Sequence, residues 1–181
     1  MRKKFGRWDD YAISILRTPL EEFQKSQFTY SLEIENPEHI KLFFISLLWR
    51  ASATTTKFYE NVNIGSFAET AAQLLISGSA GTPEQFPIIL THSGFDDHLI
   101  AGPVQLMHNG VIFYRFYLGR FTAEIKVDSK PTPKNFLILI NGHKKTLSIF
   151  RTPRDLGLVN SASKIAQQLA NRFNRQTKEE K

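Results

Sequence analysis

The sequence predicts an α+β fold: N-terminal helices packed on an antiparallel β-meander, with a C-terminal helix to close it. Three observations carry this expectation. Apolar residues recur at helical spacing as far as Gly78, the pattern turns extended from Phe86 to Phe150 with two Asn-Gly pairs inside it, and helical spacing returns after Asn160. Helices followed by strands segregate the two kinds of structure, whereas a doubly wound sheet alternates them. No phosphate-loop or dinucleotide glycine pattern occurs, so nucleotide-driven chemistry has no support.

Each element follows from its own signals. Trp8, Tyr11 and Ile15 fall at helical spacing, Asp9 and Asp10 suit a helix start, and Pro19 ends the segment, which predicts a helix over 8–18. Phe28 to Ile34 alternates with period two and reads as a strand with one wet face. Asn36 suits an N-cap and Pro37 the first helical position. Ile40, Phe43, Phe44, Leu47, Leu48 and Ala51 then line one face, and Leu42 and Ile45 widen it, so this is the expected central helix. Ser66 and Glu69 have the spacing of a capping box, and the helix they open runs to Gly78.

From Phe86 the expected strands are 87–90, 99–107, 111–118, 121–127, 136–140 and 146–150. Asn109-Gly110 and Asn141-Gly142 each predict a tight type I′ hairpin, because the pair supplies two positive φ angles. Gly119-Arg120 predicts a third turn, and Pro131 and Pro133 interrupt the sheet because neither donates a ladder bond. Asn160 or Ser161 would cap a last helix carrying Ile165, Leu169 and Phe173. The whole reads as a single domain over 1–175: a helical part over about 8–78, a meander over about 86–150, a closing helix over about 160–175, and a polar tail at 176–181.

Composition narrows the function. The 181 residues are 41% hydrophobic and 22% charged, enough apolar content for a folded core. The absence of cysteine excludes a disulfide scaffold, a thiolate nucleophile and zinc sites with sulfur ligands. The basic start is followed by Trp8-Asp9-Asp10 where a secretory signal needs an apolar run, and Leu42 to Trp49 is too short to span a bilayer. A cytoplasmic protein with no membrane contact is therefore expected.

The charge is unevenly placed. Residues 1–60 carry 9 basic and 8 acidic groups, 61–110 carry none and 4, and 111–181 carry 14 and 5. Such asymmetry sets up a directional field able to orient nucleic acid or an acidic partner. Arg115, Arg120, Lys126 and Lys130 alternate with Tyr114, Tyr117 and several phenylalanines, the mixture of phosphate-neutralising and stacking groups used on single strands. A strand with one core face and one wet face has the same period. Lys144, Lys145 and Arg151 with Arg154 form a second basic stretch, while Arg172, Arg175 and Lys178 suit a helix C-terminus.

One neighbourhood gathers metal-ligand types: His92, Asp96, Asp97 and His98, in a loop with Gly94. Imidazole with carboxylate can hold a divalent ion that activates water for phosphodiester hydrolysis, although the spacing matches no specific motif and Ser-Gly-Phe-Asp-Asp is also ordinary turn chemistry. His108 and His143 flank the Asn-Gly pairs as exposed hairpin residues, and His39 falls in the first turn of the central helix. Ser46 is expected to bond back to a helical carbonyl, not to act as a nucleophile. Arg50, ending an almost wholly apolar helix, must reach water or find a partner, and a structural ion pair is expected.

The stretch Leu42-Phe43-Phe44-Ile45-Ser46-Leu47-Leu48-Trp49-Arg50-Ala51-Ser52 resembles a segment of uncharacterised bacterial proteins that carry an HNH-like zinc segment near their N-terminus, with such a helix downstream of the ligands. Trp8 to Ala12, and Tyr114-Arg115-Phe116 with Gly119, fit the resemblance more loosely. This chain has no cysteine, and no histidine precedes Trp8. The resemblance therefore implies a body without a zinc-binding or catalytic head, in a setting of prokaryotic and phage conflict, and it transfers catalysis to no residue.

The expected function is a non-enzymatic, cofactor-free binding module that contacts nucleic acid or an acidic, nucleic-acid-processing protein. Arg115, Arg120, Lys126, Lys144, Lys145 and Arg151 would neutralise the partner, and Tyr114 or Tyr117 would stack if they face outward. Two alternatives stand beside it: a metal-dependent phosphodiesterase using His92, Asp96, Asp97 and His98, and a structural subunit of an oligomer.

Overall fold

A computed structural model describes residues 2–26, 29–92, 101–133 and 140–151. The first helix, α1, spans Arg2–Arg17 and begins more than a turn before the expected start at Trp8. The reason is Phe5, which extends the apolar stripe of Trp8, Tyr11 and Ile15 back by one turn and meets the Trp8 ring edge-on at 5.6 Å. Asp9 is consequently in mid-helix, where it faces another helix.

α2, Pro37–Ala53, is central. Nine of its residues are buried, including Ile40, Phe44, Ile45 and Leu48 at no more than 0% exposure, and removing a side chain such as Phe44 would cost about 3–5 kcal/mol. Arg50 at its end pairs with Asp9 of α1 at 3.0 Å and also reaches the Ser46 carbonyl and hydroxyl, the structural partnership expected of it. Ser46 itself donates to the Phe43 carbonyl at 2.8 Å. The cap differs from expectation: the Asn36 side chain makes no capping bond. Its backbone is occupied instead, the N–H donating to the Tyr11 hydroxyl and the carbonyl accepting from His39 N–H.

α3, Phe67–Ser77, ends at Gly78 with φ 75°, the left-handed cap its sequence predicts. The capping box does not form. Ser66 is already helical at φ −61°, so its hydroxyl cannot fold forward, and Glu69 accepts from Gln73 instead. The chain enters the helix through backbone bonds, Phe67 N–H to Ile64 and Ala68 N–H to Gly65.

The sheet contains β1 (Gln24–Lys25), β2 (Thr29–Glu33), β3 (Ile88–His92), β4 (Val104–His108), β5 (Val111–Leu118), β6 (Phe121–Lys126), β7 (Ile140–Asn141) and β8 (Thr146–Arg151). Their order is β1-β2-β8-β3-β6-β5-β4, with β7 also on β3. Only β4–β6 form the expected meander. β8 enters between β2 and β3, antiparallel to the first and parallel to the second, so the chain's N-terminal and later strands share one sheet. Burial explains this position: Leu147 and Ile149 are 1% and 0% exposed, and a central place covers both.

Helix-facing residues Ile88, Leu90, Tyr114, Phe116, Ala123, Ile125, Leu147 and Ile149 join α2 in one core. Ile89, Val111 and Phe113 form a smaller cluster on the opposite face of the sheet. The predicted closing helix at 160–175 and the tail at 176–181 lie outside the described residues, as do the expected strand residues 99–100 and 136–139. Among the described residues, no helix is long and apolar enough to cross a membrane.

Candidate functional site

Strand register decides what the predicted basic residues can do. Arg115 on β5 lies directly opposite Glu124 on β6. Their side chains meet on the face away from the helices, where the guanidinium donates from Nε to Oε1 at 2.9 Å and from Nη2 to the same oxygen. His108 Nε2 donates to the other oxygen, Oε2, at 2.8 Å. Glu124 is buried, and its charge is compensated by these donors, as a buried carboxylate requires. His108 is thus a half-buried partner of Glu124, which corrects its expected place as an exposed hairpin residue.

Lys126, two residues along the same strand, is buried with its side chain 2% exposed and reaches Glu84 Oε2 at 3.2 Å. Burial pushes the Glu84 carboxyl up, but the Thr132 hydroxyl and amide together with Lys126 more than reverse this and hold it below its ordinary value. Lys126 is therefore a structural tie between β6 and two loops, and no phosphate could reach it without displacing Glu84.

Arg120 occupies the hairpin between β5 and β6, where Gly119 takes φ 66°. Its Nη2 donates to the carbonyls of Leu16 and Thr18 at the end of α1, and its guanidinium lies 4.8 Å over the Phe121 ring. A cation there satisfies the last carbonyls of a helix. Arg151 donates to the Ser26 carbonyl and covers the Tyr30 ring at 5.1 Å.

Tyr114 corrects the stacking expectation. It is 2% exposed, and its hydroxyl donates to the Asn63 carbonyl at 2.6 Å while accepting from Asn63 N–H. The reason is parity: Tyr114 points to the helices, and Arg115 to the opposite face. Tyr117 has that opposite parity and is partly exposed. Lys144 and Lys145, in the loop before β8, are exposed and make no ion pair among the described residues.

The metal-ligand candidates are divided. His92 ends β3 with its ring edge-on to Tyr30 and Phe121 at 5.7 and 5.8 Å. Asp96, Asp97 and His98 lie outside the described residues, and among the described residues no group of three metal-ligating side chains occurs.

A cluster that sequence reasoning missed lies under the second Asn-Gly pair. Lys41 of α2 is 0% exposed, and its Nζ is 2.6 Å from the Thr82 carbonyl and 2.6 Å from His143 Nε2. Desolvation lowers Lys41 from its ordinary value to about 7. His143 is lowered as well, by burial first and by Lys41 second. His143 is therefore packed inward and not the exposed hairpin residue expected. The available signal was a lysine set among the apolar residues of α2. In comparison with known proteins, no family model, curated protein or solved structure matches this chain.

Proposed function

We propose that the protein is a non-enzymatic module that binds nucleic acid through its phosphates, using the basic region after residue 143 and not the cations of β5 and β6. One observation carries the reading. Residues 144–181 contain nine basic and three acidic groups and so hold the entire formal charge of +6, whereas residues 1–143 balance at fourteen of each. The pairing of Arg115 with Glu124 and of Lys126 with Glu84 supports the same division, because these cations are already neutralised.

Lys144, Lys145 and Arg151 are the described part of this region, and Arg172, Arg175 and Lys178 continue it in sequence. A concentration of basic residues in one part of a sequence suits sequence-independent contact with a polyanion. The resemblance of residues 42–52 to the body downstream of an HNH-like zinc segment supports a place among nucleic-acid-processing proteins of prokaryotic and phage conflict, as a cytoplasmic accessory or inhibitor.

The test is a fluorescence-anisotropy titration with single- and double-stranded DNA and RNA at two salt concentrations. Binding is expected to fall with salt. In K144Q/K145Q the slope against log salt should be shallower by about 1–2 units on duplex DNA, near 0.9 per lost contact. Absence of binding at low salt would remove nucleic acid as the ligand and leave an acidic protein as the partner.

A further inference from the structure

Three segments meet at Lys41: α2, the turn that carries Thr82, and the loop 142–145. Two kinds of contact hold them together, hydrogen bonds with the amine and packing against its stem. The Nζ atom reaches the Thr82 carbonyl and His143 Nε2, both at 2.6 Å, and Gly142 lies against the aliphatic stem so closely that a Cβ there would stand 2.5 Å from Lys41 Cβ. Among the described residues, no carboxylate lies within ion-pair distance of this buried amine. A buried charge without a counter-ion is strongly disfavoured, so the arrangement suits a neutral amine that donates to two acceptors.

The surrounding ionisable groups do not change this. Glu38 on α2, acting through space, and a hydrogen bond with the Thr82 backbone both favour protonation of His143, against the larger effects of burial and Lys41. His39, on the same helix, is turned to the Tyr11 ring at 5.5 Å. Glu84 on the Thr82 turn is committed to Lys126 and Thr132, and Lys144 and Lys145 on the loop add only positive charge.

We propose that Lys41, the Thr82 carbonyl and His143 form a proton-operated latch, which holds the loop 142–145 against α2 when Lys41 is neutral and releases it when protons are added. A first proton gives Nζ a charge that no carboxylate among the described residues compensates. A second, on His143, removes the lone pair that Nζ needs and sets two donors face to face. Opening returns both groups to water, where each regains its ordinary proton affinity. The lowered value of Lys41 fixes the direction: between about pH 7 and 10 the open form binds more protons than the closed one, so opening becomes up to tenfold more favourable for each pH unit of acidification. His143 extends the same trend to lower pH, because its value is also depressed. The latch does not depend on the nucleic-acid reading, although the loop it holds carries Lys144 and Lys145.

Two amides report the loop directly. Ile34 N–H donates to the Lys145 carbonyl at 2.6 Å, and Ser148 N–H to Asn141 Oδ1 at 2.7 Å. Hydrogen exchange of the full chain, corrected for the intrinsic effect of pH, should show protection at Ile34 falling by several-fold to tenfold per unit from pH 9 to pH 7. Low urea should leave this exchange nearly unchanged, as local opening demands, while amides of β5 respond to it. In K41M the pH dependence should vanish. H143Q should keep it above pH 7, since the amine is still present.

Protection at Ile34 and Ser148 that does not vary with pH in the wild type would overturn the proposal, even if K41M fails to fold. So would a urea response at Ile34 equal to that of β5, which would assign the protons to global unfolding, or a Lys41 Cε resonance that titrates near the ordinary lysine value.

Discussion

The two Asn-Gly pairs are the same dipeptide placed between apolar runs, and the protein uses them differently. At Asn109-Gly110 both residues take positive φ, 51° and 76°, and β4 and β5 pair directly outside them. This is the local turn that the dipeptide encodes. At Asn141-Gly142 only the glycine has positive φ, at 93°, and Asn141 belongs to β7, paired with β3. Its amide bonds both the N–H and the carbonyl of Ser148, standing in for ladder bonds to β8, and the glycine makes room for Lys41. One turn is set by its own backbone preference, and the other has been remodelled by what packs beneath it.

Substitutions can sharpen this contrast. The largest effect is expected at Gly142→Ala, because the new methyl meets Lys41 Cβ, a stem atom that cannot swing aside, at a backbone angle unfavourable to alanine. Destabilisation of about 3 kcal/mol is expected from urea unfolding. Asn141→Ala should cost about 2 kcal/mol, since it strips both backbone partners from Ser148 within a partly buried site. Gly110→Ala should cost only about 1 kcal/mol, because the nearest atom to the added Cβ is Lys130 Nζ at 3.8 Å and backbone strain alone remains. Equal losses at Gly110 and Gly142 would break the comparison and assign both turns to local conformation.

The charged residues show a similar division. Arg50 was legible because an arginine at the end of an apolar helix has few choices, and it found Asp9. The pairing of Arg115 with Glu124 was not, because it requires knowing that β5 and β6 turn over at Gly119-Arg120 in the register Leu118 to Phe121. Once that register is set, alternation assigns Tyr114 to the core and Arg115 to Glu124. The basic-aromatic pattern on β5 thus records the two faces of one strand. Lys144 and Lys145 were visible as a basic pair, and the structure leaves them exposed.

By itself the sequence determined the features that arise from near neighbours: the reach of α2 and α3, the glycine at the end of α3, the limits of β5 and β6, and the turns at Asn109-Gly110 and Gly119-Arg120. Helical periodicity, left-handed glycine and strand alternation are properties of a few consecutive residues. Tertiary structure alone decided the insertion of β8 beside β3 and the burial of Lys41 against His143. Those two side chains are 102 residues apart. Their meeting depends on how the sheet packs under α2, and desolvation, which lowers the proton affinity of Lys41, acts only after that packing has formed.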